Sequence, residues 1–128
     1  MRLNFDFVFQ SLDKKDVHEY DERGIKGDKS SAYKWLASRL ANWPKAKDRL
    51  TAYRYVDMAR RLYDNGWIEV ERSDRKLIEQ LIEEDPMATA LMQEQLLTVI
   101  DKAVEKEAKA QEKTKKTNKV HIEGTVDV

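Results

Sequence analysis

Alternation opens the chain. In MRLNFDFVF, Leu3, Phe5, Phe7 and Phe9 fall on one side of an extended backbone and Arg2, Asn4 and Asp6 on the other, with Val8 the one exception. Period two over that length predicts a half-buried strand. The stretch SLDKKDVHEYDERGIKGDKSS follows, polar and rich in turn formers, and Val17 and Tyr20 allow a short return strand across DKKD. That turn lacks the Asn-Gly or Asp-Gly pair of a two-residue hairpin.

Beyond it the period changes to that of helices. SAYKWLASRLANW places Tyr33, Leu36, Ala37 and Leu40 at helical spacing behind a Ser30 or Ser31 cap, and Pro44 stops this helix or starts the next. KAKDRLTAYRYVDMARRLYDNG sets Ala52, Val56, Ala59 and Leu62 or Tyr63 on one face and stops at Asn65-Gly66. WIEV reads as a short strand, with Trp67 placed to pack back on the preceding helix. SDRKLIEQLIEED starts from a Ser73 or Asp74 cap, carries Leu77, Ile78, Leu81 and Ile82 in one stripe, and is broken by Pro86. PMATALMQEQLLTVIDKAV is a fourth helix with Met92, Leu96, Val99 and Ala103 on a core face, widened by Leu97, Ile100 and Val104.

After Val104 the apolar stripe ends. EKEAKAQEKTKKTNK is charged and has no large apolar residue, so it either extends the helix through weak charge pairs or stays disordered. In the closing KVHIEGTVDV, Val120, Ile122, Val126 and Val128 alternate with polar residues. Such a segment is suited to adding a strand to a sheet edge, of this domain or of a partner. The prediction is one α+β domain over residues 1–104, a small N-terminal sheet or hairpin packed on about four amphipathic helices. A charged, flexible C-terminal extension with a terminal strand occupies 105–128. A lone strand is not stable in water, so the Leu3, Phe5, Phe7, Phe9 row is expected to lie on the helices of 31–63 and 74–104.

Composition removes several chemistries. At 128 residues the chain suits one domain able to fold without staples. There is no cysteine, which excludes disulfides, thiolate zinc, iron–sulfur clusters and a cysteine nucleophile, and fits a cytoplasmic protein. No apolar run is long enough to span a bilayer, and the start lacks the basic-then-apolar order of a signal peptide. His18 and His121 have no orienting partner nearby in sequence, and no phosphate-loop, zinc-protease or nucleophile-elbow motif is present. Glu83-Glu84-Asp85 is a carboxylate cluster, but it lacks the further oxygen ligands of a calcium loop and reads as a solvated helix end. No catalytic residue, metal or cofactor is expected.

Charge is more informative. The total is neutral, with 38% charged residues, well above the usual quarter. From Arg23 to Arg61 there are eleven Lys or Arg against three Asp, a net charge of +8. From Asp64 to Glu107 there are twelve acids against five bases, a net charge of −7. Lys47, Arg54 and Arg61 are seven residues apart, nearly in line on a helix, and Trp35, Trp43, Tyr53 and Tyr55 are interleaved with them. Cations for phosphates and rings for stacking make this a candidate surface for single-stranded nucleic acid, or for an acidic protein partner. Against it, Asp57 sits between Arg54 and Arg61 as in an ordinary ion-pair ladder, and the rings serve equally as core.

Two stretches together carry a resemblance. MRLNFDF, then YVDMARRLYDNGWIEVERSDRKLIEQLI and LMQEQLLTVID, resemble small proteins encoded in tailed-phage and prophage genomes, a group with no assigned activity. The matching positions are Ala59, Leu62, Tyr63, Gly66, Ile68, Glu69, Val70, Ser73 and Asp74. The resemblance implies a phage or integrated-element context in a bacterial host and no catalytic residue; the long charged tail departs from it. The expected function is a non-enzymatic protein–protein interaction, as a phage accessory or assembly factor acting through a sheet edge and the tail. The alternative is a nucleic-acid-binding accessory protein using residues 23–61.

Overall fold

A computed structural model describes the backbone of residues 1–126 and the side chains of residues 1–112. In chain order it contains β1 (Arg2–Asn4), β2 (His18–Tyr20), β3 (Lys26–Lys29), α1 (Ala32–Ala41), α2 (Arg49–Asn65), β4 (Trp67–Glu69), α3 (Arg72–Glu84) and α4 (Ala90–Val126). The fold is α+β, with two small antiparallel sheets and four helices among the described residues. One sheet pairs β1 with β4, setting Leu3 opposite Ile68; the other pairs β2 with β3.

The opening segment is core, but little of it is strand. Asp6 donates its N–H to the Asn4 side chain, and the Phe7 N–H turns back on the Phe5 carbonyl at 2.9 Å, so the ladder stops at Asn4. Alternation survives as burial: Leu3, Phe5 and Phe9 are buried. Phe7 is only partly buried, a correction to the uniform row, and its ring meets Phe9 edge-on at 5.9 Å. Phe9 in turn packs edge-to-face on Trp35 of α1. The row lies on helices as predicted, and one core joins it to Leu36 and Leu40 of α1, Met58 and Leu62 of α2, Ile78, Leu81 and Ile82 of α3, and Leu96 and Ile100 of α4.

Helix boundaries follow side-chain chemistry. Helix α2 starts later than the apolar pattern suggests, because Asp48 caps it by accepting the Thr51 N–H at 2.7 Å. Its buried face is Tyr55, Met58, Ala59 and Leu62; Tyr63 is exposed. Gly66 ends it in the left-handed conformation at φ +78°, and its N–H closes on the Leu62 carbonyl. Trp67 is partly buried and has the Arg2 guanidinium 4.0 Å from its ring centre. The N-cap of α3 is Glu71, not Ser73 or Asp74; both of those sit in its first turn and accept from Arg54. Pro86 does separate α3 from α4, which begins at Ala90.

Two polar clamps connect distant parts. Asp85, 2% exposed, accepts both arms of Arg39, at 2.5 and 2.9 Å, and also the Met87 N–H. This ties α1 to the α3–α4 turn. Removing Arg39 should cost about 3–5 kcal/mol, because the Asp85 charge would be left buried. Gln95 of α4 pairs with Gln10 as a strand would, accepting its N–H at 2.8 Å and donating to its carbonyl at 2.7 Å.

Beyond Val104 the backbone of α4 continues helical to Val126, and the described side chains of 105–112 are exposed. Backbone at Val120, Ile122 and Val126 is therefore helical, where the alternation predicts extended chain. Their side chains, and all of Val128, lie outside the described residues.

Candidate interaction surfaces

Three surfaces follow from this framework. The first is the β2–β3 hairpin. Its turn is built by Asp21, whose carboxylate accepts the Arg23 and Ile25 N–H groups at 2.9 and 2.8 Å, and by Gly24 at φ +75°. This is the three-residue loop with a left-handed third position. The hairpin root is held by main chain: Ser30 donates to Val17, Val17 to Phe9, and Phe9 to Ser30. A second turn, Ser11 to Lys15, precedes it, with Lys14 in the left-handed region at φ 61°. Gln10 bridges to Asp16, so a return across DKKD does form, but the ladder that follows pairs with β3 and not with β1. Every residue from 19 to 29 is exposed, including Tyr20 at 64% and Ile25 at 59%.

The second surface is the basic stretch. Lys47 lies before the Asp48 cap, so it is not on α2, which corrects the expected helical line. Arg54 is engaged by Asp74 and Ser73, and Arg61 pairs with Asp57 at 2.9 Å and reaches the Glu69 carbonyl at 3.3 Å. The structure does not gather these three cations into one open row. Of the interleaved rings, Tyr55 is buried, Trp35 and Trp43 are partly buried, and Tyr53 is exposed. Burial pushes the Tyr55 phenol above its ordinary pKa.

The carboxylates Glu83, Glu84 and Asp85 do not converge: Asp85 is held by Arg39, and Glu84 accepts from Gln80. Among the described residues no group of three or more His, Asp or Glu side chains could hold a metal ion. No described helix is long and apolar enough to cross a membrane. No family model, curated protein or solved structure matches this chain. Its functional reading therefore rests on these surfaces alone.

The third surface, missed in the sequence, is a groove of about 670 Å³ between α1 and α2. Ala37 and Ala41 of α1 and Val56 and Ala59 of α2 form its floor, with Lys34 and Arg60 on its rim. The sequence signal was present as Ser38 and Ala41, small exposed residues beside the buried Ala37, where the solvated face of a helix usually carries long polar chains.

Proposed function

We propose that this protein is a non-enzymatic protein–protein interaction factor, a phage or prophage accessory or assembly protein working in the cytoplasm of a bacterial host. It takes hold of its partner through the outer edge of the β2–β3 hairpin. The observation that carries this reading is the exposure of the whole segment 19–29 in a sheet of only two strands. A two-stranded ribbon is marginal in water, and its outer edge offers unpaired backbone groups to an added strand. Tyr20 and Ile25 supply apolar contact beside that edge.

A photo-crosslinker placed at Tyr20, in cells carrying the whole chain, would capture the partner for purification. Binding to the purified partner should be saturable, and lost in the double variant Tyr20→Ser, Ile25→Ser, which removes the exposed apolar side chains beside that edge. The melting midpoint should stay nearly unchanged. Undiminished binding by that variant removes the hairpin from the interaction.

The alternative, a nucleic-acid-binding accessory protein using residues 23–61, has less support, because Arg54 and Arg61 already face carboxylates. Single-stranded oligonucleotides should bind no tighter than about 10 μM at physiological salt, the range of non-specific association. Sub-micromolar, steeply salt-dependent binding would favour the alternative.

A further inference from the structure

We infer that the groove between α1 and α2 is a docking site for a short amphipathic helix with acidic flanks, presented by a protein partner. This inference stands apart from the hairpin: it uses a different surface and survives if the hairpin binds nothing.

The shape specifies a helix. The two groove walls are themselves helices, and the floor residues are short enough to let a third helix approach closely. Ala37 and Ala59 are buried, while Ala41 and the rim remain open. Along α1 the groove runs from Lys34 to Ala41, about 10 Å of helical rise. That is two turns, enough to seat two apolar anchors at i and i+4 or i+3. Tyr63, 61% exposed on the groove wall, supplies a ring for one of them. A surface lined this way differs from a solvated helix pair, in which long charged chains would cover the seam.

Charge specifies the flanks. Of the cations on α1, α2 and their connection, Arg39 is taken by Asp85, Arg54 by Asp74 and Arg61 by Asp57, and Lys45, Lys47 and Arg49 are not among the groove's lining residues. Asp48 is engaged in capping α2. Lys34 and Arg60, one on each rim, have no ion pair among the described residues, and Asp64 at one end is the single acid among the groove's lining residues. The remaining field over the groove is positive, so carboxylates beside the anchors would be drawn in and a basic helix turned away.

The test uses the full chain and a synthetic sixteen-residue helix with leucines at i, i+4 and i+7 and glutamates on both flanks. A second peptide has lysines in place of the glutamates. Amide shift mapping by NMR should place the acidic peptide on α1 and α2, with affinity in the range of about 10–100 μM, and the lysine peptide should bind at least tenfold more weakly. Ala41→Trp fills the groove from an exposed position and should abolish binding. The double variant Lys34→Glu, Arg60→Glu should reverse the preference between the two peptides, which a merely misfolded protein would not do. Failure to bind the acidic peptide, shifts elsewhere on the surface, or equal binding of both peptides by the unaltered chain would overturn the inference. So would concentration-dependent self-association removed by Ala41→Trp, which would make a second copy of this chain the occupant.

Discussion

The helical body and the β2–β3 hairpin are held together by different forces. In the body, apolar side chains from every helix and from Leu3, Phe5 and Phe9 share one core. In the hairpin nothing from residue 19 to 29 is buried, and the order comes from ladder bonds, the Asp21 turn and the Phe9, Val17, Ser30 main-chain links. Burial stabilises in proportion to area, whereas an exposed hydrogen bond replaces one to water and contributes little. The body should therefore melt as a unit, and the hairpin should open locally well below that limit.

The sharpest way to break the contrast is Phe5→Ala. Phe5 is fully buried, and its truncation should cost about 3–5 kcal/mol in chemical denaturation. Phe7→Ala should cost clearly less, since that ring is only partly covered. Gly66→Ala comes next, at about 1–2 kcal/mol for a side chain in the left-handed region. Its new Cβ would also stand 3.1 Å from the Asp6 Cβ. A melting midpoint equal to that of the unaltered protein would show that the α2 end relaxes freely.

Acid separates the two regions more gently. The Thr51 N–H holds the Asp48 carboxyl below the usual carboxylate range, the Arg2 side chain does the same for Glu69, and the Gln10 amide for Asp16. Each depressed pKa means stabilisation that is complete above the unfolded value, near 4, and lost as pH falls through the folded value. Asp48→Asn keeps a capping oxygen but removes the titration, so its stability should fall less steeply below about pH 4. Asp16→Asn, which also weakens the ion pair to Lys29 of β3, should alter only amide exchange in the Ser11–Lys15 turn and the hairpin. The smallest effect is expected from Ile25→Ser, within about 0.5 kcal/mol, as for an exposed position. A larger loss would mean that the hairpin is packed against something in solution.

Much of the body was legible in the residues. The stripes Leu36, Ala37, Leu40 and Ile78, Leu81, Ile82 are buried as their spacing implies, and Asn65-Gly66 ends α2. Hydrophobic spacing is local information, and it survives into the fold. The hairpin was half legible: an Asp followed three positions later by Gly, in DERG, is the signature of the three-residue loop, and expecting a two-residue turn hid it. The clamps were not legible. Arg39 and Asp85 are 46 residues apart, Gln10 and Gln95 are 85 apart, and nothing local marks either pair. Only the Asx turn across Pro86, in which Asp85 accepts the Met87 N–H, left a local trace. The surroundings of Lys47, Arg54 and Arg61 were hidden for a related reason: spacing shows which way side chains point on a helix, but not that α3 brings Asp74 to Arg54.

The pairing of Gln10 with Gln95 also bears on how the protein is made. Leu3, Phe5 and Phe9 are translated well before Ile68 opposite Leu3, and before Leu96 and Ile100 of the shared core. A ribosome adding roughly 5–20 residues per second leaves that apolar segment without its partners for on the order of ten seconds. Through that interval the nascent chain exposes three large apolar side chains close together in sequence, a target for chaperones that bind short hydrophobic stretches. The domain can close only once α4 as far as Val104 has cleared the exit tunnel.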